Sequence, residues 1–534
     1  MSECFDSPQC LRLEHLSFTP DESSMPIKEK NKHDGSITVQ ARDVDTAAMV
    51  AEDTPEELSP EDAERLRKKI DRHLLPLMCF SFVIMIADQV VVAQSAILGI
   101  FQGAHLSQDQ FNWLATILYI TILSLEYPQN LALQRFPIGK WMSFNIFVWS
   151  IALLAHAACK SFGALVACRI VLGMCESVIL PGFMLVTSMF YTRKEHTQRV
   201  GYWYMAGMCG SSFLGFVAFG LLHITGTRLM PWQWMMIIMG AVTFIFGIVF
   251  FFLFPDSPTT ARFLTPEERA QTVQRIKVNQ SGVENKRWKR EQFIEALKDP
   301  KVWVMAGFGF LSHVPVSMTF QKQIIVSQLG FNALQTTLLS CADGVVSIIG
   351  IFIGIYLSTI PLVGRGYATI LTSIPPLVGS ILINILPSEN KIALLFMYWL
   401  SFWVSVPYTV FLGWVTSLTA GHTKRITTNA IVLIAAYLGL AVGPLMWKKQ
   451  YQPRNRIPWI IVSLCVFVSA GLLFTLRTML YLENKRRDRE PRSAKYDEVY
   501  MKKELSDGTV EKHHVDKAFL DLTDIENRDF RYVL

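Results

Sequence analysis

The sequence has little charge and no organised cysteines. Only 18% of its 534 residues are charged, whereas soluble domains carry about 25%. Its nine cysteines follow neither the paired spacing of a disulfide framework nor the CxxC spacing of a metal site. No GxxxxGK[ST] phosphate loop, metal cluster or nucleophile motif occurs. These absences argue against an enzyme, an ATP-driven pump and a bound metal, and we expect no cofactor.

The start of the chain lacks a basic segment followed by an apolar one, so we expect no cleaved signal peptide. The net charge of +6 is modest. The basic residues cluster beside apolar runs, which is typical of a membrane surface and not of a nucleic-acid groove. We therefore expect contact with lipid and no nucleic-acid partner.

Long apolar runs dominate what is present. Hydrophobic residues make up 51% of the chain, and residues 74–481 contain one such run after another. A transmembrane helix needs about 20 apolar residues to cross about 30 Å of hydrocarbon. The runs predict an all-α integral membrane protein with twelve spans, at 74–94, 112–133, 141–159, 163–188, 199–222, 234–254, 302–320, 337–357, 367–386, 391–417, 427–447 and 458–481.

The longest polar break, residues 255–301, divides the spans into six and six. It predicts two six-helix bundles, 74–254 and 302–481, flanked by tails at 1–73 and 482–534. Basic residues beside span 1, in the break and after span 12 predict that the break and both tails are cytoplasmic. Composition predicts tails that are disordered for most of their length, with a short amphipathic surface helix at 60–72.

A weak internal repeat supports the division into halves. RFPIGK (135–140) follows span 2, and IPLVGRG (360–366) follows span 8. Each segment has a proline, then a glycine, then a basic residue. The same motif in corresponding places indicates that the two bundles are copies of one unit.

Ionisable residues inside the spans are candidates for function, because a charge is expensive to bury in a membrane. The candidates singled out are Asp88, Glu126, His156, Arg169, Glu176, His313 and Asp343. Arg169 and Glu176 share one helical face. At 1.5 Å per residue, Asp88 lies about 21 Å from the inner surface and Arg169 about 9 Å from the outer one. We therefore expect these two to meet, either in a transport pathway or as a structural ion pair.

The other candidates remain open. Glu126 either takes part in proton transfer or braces the following loop, and Asp343 favours a structural role with its carboxylate snorkelling outward. His156 and His313 favour neutral, hydrogen-bonded packing. Trp403, in a span rich in serine and aromatic residues, either lines a substrate path or anchors at a membrane interface.

The loop QRFPIGKW (134–141) joins spans 2 and 3 by a very short link. It carries Arg135, Gly139 and Lys140. Such a link either gates the rocking of helices, with Gly139 supplying backbone freedom, or serves only as a positively charged anchor.

Four segments resemble one family, the fungal allantoate permeases within the anion:cation symporter branch of the major facilitator superfamily. They are EYPQNLALQRFPIGKW (126–141), RIVLGMCESVILPGFMLVTSMFYTRKEHTQRVGYW (169–203), GHTKRITTNA (421–430) with GP at 443–444, and DLTDIENRDFRYVL (521–534). The resemblance covers most of residues 65–534. It implies the major facilitator fold and import of a small carboxylate nutrient such as allantoate, nicotinate, another vitamin or an amino-acid derivative.

The resemblance also implies proton symport by alternating access. We expect a monomer in the plasma membrane. It assigns Asp88, Glu126, Arg169 and Glu176 to transport motifs and the loop residues to gating. We expect Arg169 to hold the substrate carboxylate while Asp88 or Glu176 takes the proton. The alternatives are an exporter of a small metabolite and a nutrient sensor that does not transport.

This sequence departs from the family pattern near the presumed cavity. Gln89 follows Asp88 where a basic residue is usual, and Gln94-Ser95-Ala96 replaces a Tyr-Ala-Ser stretch. Leu125 and Leu440 stand where tryptophan and asparagine are usual. Substrate identity therefore does not follow from the resemblance.

Overall fold

The computed structural model describes residues 37–40, 60–490, 499–504, 510–514 and 522–534, with gaps at 225, 227, 270, 273–274, 276–288 and 416–417. A helix occupies each of the twelve predicted spans. In the N-terminal half they are α1 (Pro60–Ser95), α2 (Gln108–Arg135), α3 (Ile138–His156), α4 (Phe162–Glu176 and Ile179–Phe190), α5 (Arg193–Leu221) and α6 (Pro231–Leu253). In the C-terminal half they are α7 (Pro300–His313 and Met318–Gln328), α8 (Ala333–Leu339 and Ala342–Thr359), α9 (Gly364–Leu371 and Ile374–Ile385), α10 (Lys391–Ser401 and Val406–Val415), α11 (His422–Val442) and α12 (Arg456–Arg487).

The helices have the length and composition of membrane spans. Eleven of those described are long and apolar enough to cross a bilayer on these grounds alone. The twelfth, α2, has 28 residues but carries polar side chains along its length, among them Asn112, Glu126 and Gln129. Its polar face packs inside the bundle, so its low mean hydropathy reflects position and not exposure to water. The twelve-helix prediction is confirmed.

The two halves repeat the same packing. In the N-terminal half α1 packs on α5, α2 on α4, and α3 on α6. The corresponding pairs of the C-terminal half, α7 with α11, α8 with α10, and α9 with α12, also pack together. The repeat detected in the two short loops is therefore part of a repeat of whole bundles.

Prolines explain most of the breaks within spans. A proline has no N–H, and its ring clashes with the carbonyl four residues earlier. Pro181 stands four residues after the break in α4 at Ser177, and Pro375 stands four residues after Leu371, where the first part of α9 ends. Pro315 and Pro407 accompany the 3-10 turns that interrupt α7 and α10. The sequence thus determines where these spans bend.

We call the end of the bundle that carries the start of α1 and residues 254–268 the linker face, and the end that carries residues 96–107 and 447–455 the far face. The predicted surface helix at 60–72 is wrong as a separate element, because it is continuous with α1. Its side chains bind the linker face: Asp71 pairs with Arg199 at 2.7 Å, and Lys69 pairs with Glu268 at 2.6 Å. Hydrogen bonding to Lys69 lowers the pKa of Glu268.

Parts of the tails are folded at residues where the sequence predicted mostly disorder. Three short strands, β1 (Ile37–Gln40), β2 (Val499–Glu504) and β3 (Val510–His514), form a sheet in that order. β1 is parallel to β2, and β2 is antiparallel to β3. The sheet thus joins the segments before and after the helical bundle.

Residues 522–534, which we call the tail strap, dock on the linker face of the C-terminal half. Asp524 is fully buried and pairs with Lys301 at 2.6 Å and Lys424 at 2.8 Å. The Tyr532 hydroxyl donates to the same carboxylate, and Trp414 donates to the Val533 carbonyl at 2.8 Å. Burial raises the pKa of Asp524, but the two lysines outweigh it and hold that pKa below its ordinary value.

Candidate functional site

The first part of α4 carries two charged residues into the interior. Arg169 and Glu176 both point away from lipid, with 1% and 3% of their surfaces exposed. Gly173 lies between them on the same face. A Cβ at Gly173 would approach the Leu118 carbonyl to 3.0 Å, so glycine allows α4 to pack closely on α2. This close packing brings Tyr119 of α2 near Arg169 and Glu176.

Arg169 is a buried cation without a hydrogen-bond partner. Its Nε, Nη1 and Nη2 atoms are all buried, and none bonds to the described part of the chain. Asp88 and Glu176 attract it only through longer-range charge interaction. Leaving a buried donor group without a hydrogen bond costs about 1–3 kcal/mol, and more when the group is charged. The guanidinium is therefore prepared to receive an anion with a planar pair of acceptors.

Two carboxyl groups accompany Arg169. Asp88 is fully buried on α1, and Trp149 donates to its Oδ2 at 2.7 Å. Gln89 donates to Oε2 of Glu176 at 3.2 Å. The Asp88 and Glu176 carboxyls lie within hydrogen-bonding reach of each other, while Oδ1 and Oε1 have no donor. Two carboxylates so close repel when both are ionised, so the pair is suited to holding one proton.

The predicted meeting of Asp88 and Arg169 is thus a cluster of three residues, not a direct ion pair. The structure also explains why glutamine, and not a basic residue, can follow Asp88. Gln89 uses its amide to hold Glu176, which is the second carboxyl of the cluster. A glutamine holds that carboxylate without adding a charge that would compete with Arg169.

Four half-buried tyrosines, two from each half, lie near one another, and one of them, Tyr119, is also near Arg169 and Glu176. They are Tyr119 on α2, Tyr204 on α5, Tyr408 on α10 and Tyr437 on α11. Tyr437 is close enough to the other three, and to Glu126, for charge interactions between them. Their hydroxyls take part in no hydrogen bond with described residues. The two halves therefore meet at a wall of ring faces and free hydroxyls.

The structure brings only part of the predicted site together. Trp403 packs in an apolar cluster with Ile351, Val406 and Val410, in the C-terminal half, and is not gathered with Arg169. His156 bonds the Ala152 carbonyl at 2.9 Å, and His313 bonds the Gly309 carbonyl at 2.9 Å. These histidine contacts agree with the packing role that the sequence favoured. Trp403 and His313 therefore stand outside the charged cluster, whereas His156 lies near enough to Arg169 for charge interaction.

The loop between α2 and α3 is held against the end of α6. Arg135 and Lys140 are exposed, and the Lys140 amide donates to Asp256 at 3.1 Å. Gly139 lies inside α3 with ordinary helical backbone, so the expected need for backbone freedom is wrong. The reason for glycine is space: a Cβ there would lie 2.9 Å from the Phe254 carbonyl and 3.1 Å from Oδ1 of Asp256.

A buried lysine escaped the sequence prediction. Lys322 lies on the second part of α7, is fully buried, and pairs with Asp343 of α8 at 3.9 Å. The predicted span 7 ends at residue 320, just before the polar triplet Gln321–Gln323, and so stops short of Lys322. The apolar residues that follow it were the available signal that the helix continues. The expectation that Asp343 snorkels is wrong, since its side chain is fully buried.

Polar contacts between the two halves gather toward the far face. Asn112 of α2 donates to the Trp447 carbonyl at 2.7 Å, and Thr116 donates to the Ala441 carbonyl at 2.8 Å. Other bonds join α1 and α2 to α7 and α8: Gln321 to Asn112, Gln108 to Gln321, Gln94 to Ser340, and Gln323 to Gln94. These contacts close the bundle at the far face.

Comparison with known proteins gives a family and close relatives. The family model described as Major Facilitator Superfamily matches residues 77–444. The thiamine pathway transporter of Saccharomyces cerevisiae is 32% identical, over 97% of this chain and 95% of its own length. The allantoate permease of the same yeast is 28% identical, over 94% of this chain and 92% of its own. A high affinity cysteine transporter, also of this yeast, is 28% identical over 90% and 92%.

Solved structures share the fold at low identity. A D-xylose-proton symporter matches with a TM-score of 0.61 and 13% identity, over 76% of this chain and 97% of its own. A bacterial homolog of the human lysosomal transporter Spinster matches with a TM-score of 0.60 and 15% identity, over 82% and 100%. The arrangement of the twelve helices is therefore one already known from transporters.

Proposed function

The chain belongs to the major facilitator superfamily of membrane transporters, and from this premise we propose that it imports a small organic anion together with a proton. The observation that carries the proposal is the Arg169 guanidinium, which is buried beside two carboxyl groups with all three nitrogens unbonded. Relatives named for allantoate and for cysteine support a small carboxylate as the substrate class.

Arg169 holds the carboxylate of the substrate in this proposal. Its planar fork of donors matches two carboxylate oxygens, and its charge persists at any working pH. The tyrosine wall contacts the other end of the substrate through ring faces and hydroxyls. Because that wall combines both halves, a bound molecule bridges them.

Asp88 and Glu176 supply the coupling to protons. In the empty site, attraction to Arg169 favours the ionised carboxyls. A substrate anion engages Arg169 and weakens that attraction, so the pair binds a proton more readily. Proton and anion binding then assist each other, and by linkage each strengthens the other by the same factor. Glu126, near Tyr437, offers the next carboxyl along the path toward the linker face.

Orientation and gating complete the proposal. We place the linker face and the tails in the cytoplasm, on the positive-inside rule, and the protein in the plasma membrane as a monomer. The structure, closed at the far face, then corresponds to the state that faces inward. Arg135, Gly139 and Lys140 form a gating link whose fit against the end of α6 changes as the halves rock.

Uptake measurements test the proposal. Cells of a transporter-deficient host that express the chain are given a panel of labelled carboxylates, ureido acids and amino acids at several external pH values. We expect saturable accumulation of one carboxylate that grows as external pH falls. Accumulation that ignores pH excludes proton symport, net efflux of preloaded substrate supports an exporter, and absence of any flux supports a sensor.

The variant Asp88→Asn separates coupling from binding. It keeps the shape of the side chain and its contact with Trp149 but removes the ionisable group. We expect exchange of labelled for unlabelled substrate to persist while accumulation driven by a proton gradient is lost. Normal accumulation in this variant would move the proton site to Glu176 or Glu126, and the matching Gln variants decide between them.

A further inference from the structure

A second buried charge pair lies at the boundary of the two halves, away from Arg169. Lys322 and Asp343 both belong to the C-terminal half, are fully buried, and lie 3.9 Å apart. Tyr398 donates to Asp343 at 3.5 Å. The lysine, however, makes its short contact with the other half: Nζ donates to Ser211 Oγ of α5 at 2.8 Å.

The neighbours of Lys322 make the same crossing. Gln321 donates to Asn112 of α2 at 2.6 Å, and Gln323 donates to Gln94 of α1. Three consecutive residues of α7 thus contact three helices of the N-terminal half. Of the three, only Lys322 carries a charge across the boundary.

The helices around Lys322 are packed without spare room. Ser212 donates to the Cys341 carbonyl at 2.8 Å, beside the Lys322–Asp343 pair. A Cβ at Gly344 would lie 2.5 Å from Ser212 Oγ and 3.1 Å from the Met208 carbonyl. α5 and α8 are therefore in backbone contact here, and the charge pair is sealed only while this contact lasts.

We propose that Lys322 is the latch of the far-face gate. With the gate closed, Ser211 accepts a hydrogen bond from the ammonium and Asp343 neutralises its charge, so the pair tolerates burial. When the halves separate at the far face, Lys322 loses Ser211 and both charges regain water. The energy difference between closed and open states therefore depends on this pair, whichever anion is transported.

The charge balance gives the latch a distinctive response to mutation. Removing one partner of a buried pair leaves an uncompensated charge, which favours the state in which water reaches it. Removing both partners leaves no such charge. Lys322→Met and Asp343→Asn should each open the gate, while the double variant should close it again. A purely structural packing role for Lys322 predicts instead that the double variant is no better than the worse single one.

The test measures opening directly, on the full chain in lipid nanodiscs, where both faces meet solvent. A cysteine at Thr116, which is 2% exposed at the closed far face, reports the gate by its rate of alkylation by a bulky polar maleimide. A cysteine at Arg228, exposed on the far-face loop between α5 and α6, is the control that needs no opening. Each rate is compared with that of the parent, which is the same cysteine variant with Ser211, Lys322 and Asp343 intact, so the loss of the Thr116 hydrogen bond is common to both. Labelling of the native cysteines is subtracted with the chain that lacks the added cysteine.

We expect Lys322→Met or Asp343→Asn to raise the alkylation rate at Thr116→Cys about tenfold or more, with the Arg228→Cys rate unchanged. The double variant should return toward the parent rate. Ser211→Ala, which removes only the acceptor, should raise the rate a few-fold. Parent rates in the single variants, or no recovery in the double variant, overturn the latch. If a charge variant does not fold, Ser211→Ala decides alone, and its parent-like rate also overturns it.

Discussion

The two halves have the same fold, but one buried charge cluster of the N-terminal half is left without ion pairs, whereas two in the C-terminal half are paired. In the N-terminal half, Arg169 has three unbonded nitrogens and lies beside two carboxyls with free oxygens. In the C-terminal half, buried Lys322 faces Asp343, and buried Lys424 contacts both Asp299 and Asp524 at under 3 Å. The same pair of bundles thus contains one set of charges left free for a ligand and one set already paired.

The difference separates binding from conformational control. An unpaired buried charge is costly unless a ligand neutralises it, so its presence favours a binding role. A paired charge is tolerated without a ligand, but it holds together the helices that carry its partners. In the proposed mechanism, the N-terminal half therefore recognises the anion and the C-terminal half controls the closure of the far face.

The largest effect is expected from removing the unpaired charge of Arg169. Arg169→Ala should lower substrate uptake about 100-fold or more, because a charge-assisted hydrogen bond contributes about 1.5–3 kcal/mol and 1.4 kcal/mol is tenfold in affinity. Arg169→Lys should lose nearly as much, since a lysine lacks the planar fork. Uptake and surface expression are measured together. Near-normal uptake in Arg169→Ala would show that the unbonded guanidinium is not the anion site.

A second test concerns the two short loops that repeat between the halves. Gly139→Leu should abolish most transport while the protein still reaches the membrane, because its side chain must displace the backbone at Phe254. The matched control is Gly201→Leu, at a helical glycine where a Cβ would meet nothing within 4 Å. Uptake that falls equally in both variants would point to a general effect of leucine on the helices and not to the loop.

The corresponding loop of the C-terminal half makes a similar packing contact, so the repeated motif has a structural cause. Gly364 has φ +64°, and a Cβ there would lie 2.5 Å from the Leu534 carbonyl in the tail strap. Each loop therefore packs against the segment that follows the last helix of its own half: residues 254–256 in one case, the tail strap in the other. The glycine is required in both, for space in one and for backbone conformation as well in the other.

A third test weakens a paired charge. Asp524→Asn should lower the free energy of unfolding by about 3 kcal/mol, because it leaves Lys301 and Lys424 without their shared buried carboxylate. Thermal unfolding of the purified protein measures the change. Asp488→Asn, which breaks an exposed pair with Arg531, is the control and should have almost no effect. Equal shifts in the two variants would contradict the role given to the tail strap.

The pH dependence of the same contact has a fixed sign. The pKa of Asp524 is lowered in the folded protein, so its contribution is fully present above the ordinary aspartate pKa of about 4. It disappears only as pH falls through the lowered value. Between pH 5 and 8 the tail strap should stay docked in the wild-type protein. Limited proteolysis at residues 522–534 measures whether it does. Release within that range would rule out Asp524 as its anchor.

The smallest expected effect belongs to the tyrosine wall. Tyr119→Phe keeps the ring and removes one hydroxyl, so we expect a two- to tenfold rise in the substrate concentration for half-maximal uptake, as for a single neutral hydrogen bond. Tyr204→Phe and Tyr437→Phe should act similarly. Tyr481→Phe, on the exposed surface of α12, should change nothing. Effects confined to maximal rate would assign the wall to gating and not to binding.

The sequence predicted the spans well and the site only in part. Apolar length and buried charge are local signals, so all twelve helices and the cluster of Asp88, Arg169 and Glu176 could be anticipated. Lys322 was missed because a polar triplet inside a helix resembles a loop until its partners are known. The contact of Gly139 with Phe254 joins residues over 100 positions apart, and no local pattern records it.

Trp403 illustrates the opposite error. An aromatic residue among serines is consistent with a substrate path and with an anchor at a membrane interface, and the sequence alone does not separate the two. The structure places its ring against Gly350, in contact with α8. Residue type therefore identified candidates, while helix packing determined which of them share a site.

The interruptions of the helices have a mechanical consequence. Among the helices that the structure describes, four spans of the C-terminal half, α7 to α10, are each built from two helical pieces, whereas in the N-terminal half only α4 is divided. A continuous helix is stiff along its axis, while a break concentrates bending at a few residues. The N-terminal half is therefore the stiffer of the two, and the C-terminal half has more positions at which its helices can bend. Most of the bending during opening and closing should therefore occur at the breaks in the C-terminal half.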